Sequence, residues 1–145
     1  MKLTHIEHIG IAVRNLRDAI RLYESVYGLE CYRVEEVVDQ KVKTAFLQLG
    51  QTKIELLEST APDGPIAKYI EKKGEGIHHI AFAVSDLPSA LQEAASNGVQ
   101  LIDKHPRAGA EGLQIAFLHP KSTFGVLTEL CEHDDDRRWR SSTDG

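Results

Sequence analysis

A chain of 145 residues, 41% hydrophobic and 27% charged, has the length and balance of one soluble globular domain with a real core. Its net charge of −5 supplies no positive field for nucleic acid or an anionic membrane. No apolar run approaches the ~20 residues that span a bilayer, and the N-terminus lacks the apolar core of a signal peptide, so a cytoplasmic setting is expected.

The first expected element is a strand over about 4–13, rich in Ile and Val and alternating in character. Asn15 then reads as an N-cap. Leu16, Ala19, Ile20, Tyr23 and Tyr27 recur at helical spacing, and Gly28 supplies the stop. Three short strands follow, at 29–36, 42–49 and 53–58. A polar connection containing TAPDGP leads to a short helix at 65–73 and the turn GEG at 74–76. The whole pattern then repeats. HIGIAVRNL from His8 aligns with HIAFAVSDL from His79, 71 positions later, and the same spacing relates Phe46 to Phe117. In the second copy Asp86 is the cap, Leu87, Ala90, Leu91 and Ala94 form the stripe, and Gly98 is the stop. Strands are expected at 99–103, 113–118 and 126–132. Three extra residues in the last turn shift the register, so that Glu55 matches Glu129 at a spacing of 74.

The expected fold is α+β: two tandem βαβββ modules forming a curved mixed, mostly antiparallel sheet around a metal-containing cleft. Module one covers about 4–58, the linker 59–75 and module two about 76–132. The charged tail at 133–145 lacks periodicity and is expected to be disordered. Nothing in the sequence gives its Trp139 a function. Cys31 and Cys131 are far apart, show no CxxC spacing and fall in strands, which reads as buried free thiols.

Strand parity selects the candidate ligands. Side chains alternate between faces, so Ile6, His8, Gly10 and Ala12 share one face, and Ile9, Ile11 and Val13 the other. His79, Ala81 and Ala83 repeat the first face, while Ile80, Phe82 and Val84 repeat the second. The bulky apolar face belongs against the helices. The histidine face carries only Gly or Ala beyond the histidine, which leaves room for a ligand. By the same parity His78 and His5 lie on the opposite face and read as structural or solvent-facing. Carboxylates within IELLE and LTELCE are costly to bury unless paired or coordinated. A glutamate and a histidine at matched positions of both copies therefore point to one divalent metal ion bound by His8, Glu55, His79 and Glu129. Mixed imidazole and carboxylate donors suit Zn²⁺, Co²⁺, Ni²⁺, Mn²⁺ or Fe²⁺ better than Ca²⁺. Four protein ligands leave two positions of a six-coordinate ion for substrate oxygens.

These residues resemble the vicinal oxygen chelate superfamily (glyoxalase, bleomycin resistance, dioxygenase), which builds open metal sites from paired βαβββ modules. Within it, IEHIGIAVRNL, GQTKIELLE, PIAKYIEKKGEGIHHIAFAV and FLHPKSTFGVLTEL most resemble the methylmalonyl-CoA epimerase family, over about residues 4–132. The resemblance implies a metal-dependent epimerase that interconverts (2R)- and (2S)-methylmalonyl-CoA by alpha-proton abstraction through a metal-stabilised enolate. It implies an acyl-CoA substrate, a homodimer, and Co²⁺, Zn²⁺, Mn²⁺ or Ni²⁺ on His8, Glu55, His79 and Glu129. Glu129 is then a catalytic base as well as a ligand. Glu55, whose place can hold glutamine in the family, is ligand, base or both. Some members carry an additional glutamate on the third strand, where this chain has Thr44, so a metal-held water is a further candidate for the second base. Lys121 and Arg107, near the presumed cleft mouth, are equally readable as phosphate contacts or as ordinary surface charges. The alternatives are a glyoxalase I-type lactoylglutathione lyase and a metal-free small-molecule-binding resistance protein of the same fold.

Overall fold

The computed structural model describes residues 1–133; the expected disordered stretch from 134 onward, with Trp139, lies outside the described residues. The chain forms two units. One runs from His8 to His78; the other joins Met1–Glu7 to the chain from His79 onward. The first strand, β1 (Leu3–Ala12), passes from one unit into the other between Glu7 and His8.

In the His8–His78 unit, β1 leads to α1 (Leu16–Ser25), β2 (Cys31–Val37), a 3-10 turn (Val38–Gln40), β3 (Val42–Leu49), β4 (Thr52–Ser59) and α2 (Pro65–Lys73). The strands lie in the order β2-β3-β4-β1, with β1 parallel to β4 and the other pairs antiparallel. Local chemistry sets the helix ends. The Asn15 side chain accepts the Asp18 N–H at 2.9 Å, and Glu58 at the end of β4 accepts the Leu16 N–H at 3.1 Å. Gly28, at φ +70°, turns the chain into β2. Ile9, Ile11 and Val13 pack with Leu16, Ala19, Ile20 and Tyr23 of α1 over a core of Ala45, Leu47, Ile54 and Leu56. The apolar face of β1 is thus the helix-facing one, as its parity predicts. Ala12 on the other face meets Val42, Leu57 and Ile66 of α2.

The second unit repeats the plan with β5 (Gly76–Val84), α3 (Leu87–Ser96), β6 (Arg107–Ala108), a 3-10 turn (Ala110–Gly112), β7 (Leu113–Leu118) and β8 (Thr128–His133). Its strands run in the order β5-β8-β7-β6, with β5 parallel to β8. Asp86 caps α3 by accepting the Ser89 N–H at 3.2 Å and the Ser89 hydroxyl at 3.1 Å. Leu87, Ala90, Leu91 and Ala94 bury against Val84, Ala116, Leu118 and Leu130.

The strand expected at 99–103 does not form. Only Leu101 makes an isolated bridge, to Leu118, and the ladder resumes as the two-residue β6. The backbone donors of this segment go elsewhere: Gln100 N–H to the Ser122 hydroxyl, and Ile102 and Asp103 N–H both to the Phe117 carbonyl. Asp103 then uses its carboxylate to accept the Phe117 N–H at 2.8 Å, a bond that a strand partner would otherwise make. At the other end of the unit β8 includes His133, opposite Leu113, one residue past the expected boundary. Among the described residues no helix is long and apolar enough to cross a membrane.

Candidate metal and catalytic residues

Each unit brings together the histidine and the glutamate expected of it. In the first, His8 stands opposite Lys53 in the β1/β4 ladder and Gly10 opposite Glu55. Residues paired this way project to the same side, and Glu55 reaches back along β4 to His8. His8 Nδ1 and Glu55 Oε2 are 3.1 Å apart, with 3% and 6% of the two residues exposed. The same face carries Phe46, fully buried and opposite Glu55, with the Lys53 ammonium 5.9 Å from its ring centre. Thr44, two residues before Phe46, is buried opposite Leu57.

The second unit places Ala81 opposite Glu129 in the β5/β8 ladder. His79 Nε2 lies 3.8 Å from Glu129 Oε1, and both residues are buried. That separation is beyond a hydrogen bond. The other carboxylate oxygen, Oε2, accepts the Cys131 thiol at 3.0 Å. Cys131 is therefore a free buried thiol as expected; Cys31 is free too but only partly covered. The His79 ring meets Phe117 edge-on with centroids 5.5 Å apart, and the Arg107 guanidinium lies 5.6 Å from the Phe117 ring. Asp103 holds Arg107 Nε at 3.2 Å, so this arginine is fixed beside the ring next to His79. Lys121 is exposed, and its backbone N–H is bound by the His119 imidazole.

The donor set fits a divalent ion. Imidazole nitrogens and carboxylate oxygens at His8 and Glu55, and again at His79 and Glu129, are withdrawn from water, and buried carboxylates of this kind need a cation or donors. His78 is half-buried with its ring edge-on to Tyr69 at 4.9 Å, a packing contact, and His5 meets the Thr4 hydroxyl at 3.0 Å. Three features were not anticipated from sequence. Lys53 is buried on the His8/Glu55 face. Glu7, 3% exposed, faces His133 Nε2 at 3.1 Å. Glu35 stands opposite Thr44 in the β2/β3 ladder. The signal for Glu7 was available, since a carboxylate occupied the parity otherwise filled by Ile9, Ile11 and Val13.

Residues 7–117 match the model of the glyoxalase/bleomycin resistance protein/dioxygenase superfamily, and the chain belongs to that superfamily. It is 47% identical to the uncharacterized protein YqjC of Bacillus subtilis over 93% of this chain and 96% of that one. It is 39% identical to the mitochondrial methylmalonyl-CoA epimerase of Dictyostelium discoideum, over 88% and 77% of the two chains. A Streptomyces coelicolor methylmalonyl-CoA epimerase variant, solved in complex with 2-nitronate-propionyl-CoA, superimposes with a TM-score of 0.87 at 38% identity, over 91% and 96% of the chains. Within the superfamily, then, the chain belongs with the methylmalonyl-CoA epimerases, a family of isomerases with the glyoxalase-like fold.

Proposed function

We propose that the protein interconverts the 2R and 2S forms of methylmalonyl-CoA, with His8, Glu55, His79 and Glu129 holding one divalent metal ion. The observation that carries this reading is the recurrence, at matched positions of the two units, of a buried histidine beside a buried glutamate. When bound, such an ion acts as a Lewis acid on substrate oxygens, a contribution of several kcal/mol.

The chain's own groups supply the remainder. Glu129 takes the proton from C2 of the substrate, and its carboxylate is kept in place from behind by the Cys131 thiol on Oε2. Phe117 against His79 and Phe46 opposite Glu55 give the polar residues apolar neighbours, which limits water beside a carbanion-like carbon. The Arg107 side chain, fixed by Asp103, offers a positive group near that apolar wall for the anionic parts of an acyl-CoA.

The test combines elemental analysis of the purified protein with an assay on (2R)- or (2S)-methylmalonyl-CoA in D₂O. The expected outcome is bound metal, epimerisation and deuterium at C2, with Glu129→Gln abolishing epimerisation, and the exchange of the epimer whose proton faces Glu129, while the fold is kept. Exchange at the wild-type rate from both epimers in Glu129→Gln would sink the assignment of that residue, and a wild-type protein inactive on both epimers would sink the function.

A further inference from the structure

Inversion at a planar carbon requires a proton to leave one face and another to arrive at the opposite face. A second acid/base group is therefore needed besides Glu129. Position 44, on the central strand of the first unit, holds a threonine, which is a poor proton acceptor. Glu55 already directs its Oε2 to His8 at 3.1 Å.

Building on the epimerase reading, we infer that Glu35 is the second catalytic base. In antiparallel ladders directly opposite residues share a face. Glu35 is opposite Thr44, and Phe46, two residues along the same strand, is opposite Glu55. Glu35, Thr44, Phe46, Glu55 and His8 therefore project to one side of the first unit's sheet. Thr44 is short and buried, so the longer side chain on the neighbouring strand can extend across it. Glu35 Oε2 is shielded from solvent and accepts no hydrogen bond. Arg33 Nη2 stands 3.5 Å from it, a long ion-pair contact made by a side chain that is half exposed. Native proteins keep few buried polar atoms without hydrogen-bond partners, and catalytic groups are prominent among the exceptions. An anionic oxygen with an open lone pair, on the ligand-bearing face, is equipped to take a proton.

In the second copy Ile115 stands at the place of Thr44 and the residue opposite it is Arg107, which carries no carboxylate, so the two bases come from different copies: Glu129 from β8 and Glu35 from β2. In one direction the C2–H bond breaks, its proton goes to the Glu129 carboxylate, and the electron pair moves onto the thioester carbonyl. That pair then returns to C2 to form a C–H bond with the proton of a protonated Glu35. Glu129 ends protonated and Glu35 ionised, and exchange with solvent resets them.

The experiment follows Glu35→Gln on each epimer of methylmalonyl-CoA in D₂O, reading deuterium at C2 and configuration separately, with bound metal measured alongside. Epimerisation is expected to fall at least about a hundredfold, the lower end of what a positioned acid/base group contributes. One epimer, the one whose proton faces Glu129, is expected to keep exchanging with retention of configuration, at unchanged metal content. Glu35→Asp is expected to restore part of the epimerisation. Wild-type epimerisation in Glu35→Gln, or equal loss of exchange from both epimers, would overturn the assignment. Should the glutamine variant misfold, Glu35→Leu serves the same comparison at this edge strand. A wild-type protein that exchanges neither epimer overturns the epimerase reading and this inference together, an outcome distinct from the other two.

Discussion

The two units are copies of one plan, yet they agree and differ in different places. Both keep a capped helix, a parallel pairing between the first and last strands, and a histidine and glutamate buried on the side away from that helix. They part at the strand after the helix. In the first unit β2 is seven residues long and brings Glu35 alongside β3; in the second the equivalent stretch is a loop held by Asp103 and ends in the two-residue β6. Polar side chains on the histidine-bearing face differ as well: Lys53 in one copy stands where the other has Leu127, and Cys131 where the other has Leu57. The parallel pair of strands thus carries what both halves must do, whereas the edge strand is free to diverge.

The largest effect should come from testing whether the halves are separately sufficient. If the four residues serve one ion, His8→Ala and His79→Ala should each remove bound metal and each lower epimerisation by about a thousandfold or more, since several kcal/mol of Lewis-acid stabilisation is lost. Elemental analysis decides the matter: half-occupancy in each single variant would mean two independent ions, one per unit. Chelator treatment of the wild type should mimic either variant, with activity restored on adding back metal.

Next in size is the core. Four residues of α3 are buried, Leu87, Ala90, Leu91 and Ala94, against Leu16 alone in α1. Leu91→Ala should therefore destabilise by about 2–5 kcal/mol in denaturant unfolding. Ile20→Ala, on the less covered helix, should cost less than half as much; equal losses would contradict the difference in burial. The caps should be nearly equal. Asn15→Ala and Asp86→Ala each forfeit one side-chain bond to a backbone N–H of the first turn, and each should cost about 1 kcal/mol.

These elements were legible before any coordinates because their signals are local and doubled. Val42–Leu49, Leu113–Leu118 and Pro65–Lys73 fall on their expected bounds. Parity separated His79 from His78, whose ring packs on Tyr69 instead. What escaped depends on partners distant in sequence. The 99–103 segment has strand-like residues, but its donors are taken by Phe117 and Ser122, and no periodicity reports that. The burial of Lys53 comes from its neighbours on β1 and β3, and the place of Glu35 from its register against Thr44. Register across a hairpin with a bulge between Cys31 and Arg33 is not written in either strand alone.

The smallest expected difference lies in the turn before the third strand of each copy. Both turns are 3-10 and both place a non-glycine residue in the left-handed region, Lys41 at φ 54° and Glu111 at φ 56°. Glycine there relieves steric cost but adds freedom to the unfolded chain, so Glu111→Gly should stabilise by at most about 1 kcal/mol. Lys41→Gly should gain less at neutral pH, because Lys41 Nζ also holds Asp63 at 2.6 Å. That bond and the lysine charge keep the Asp63 carboxyl below its ordinary value of 3.8. A carboxyl depressed in the folded state adds stability above its unfolded value and loses it as pH falls through the folded one. The deficit of Lys41→Gly relative to Glu111→Gly should therefore be present at pH 7 and shrink below about pH 4, near the ordinary carboxylate range. Thermal unfolding of both variants at the two pH values checks this, and the Asp63 carboxyl, followed by NMR in Lys41→Gly, should titrate closer to its ordinary value. A gap between the variants that stayed constant with pH would assign it to the turn backbone alone.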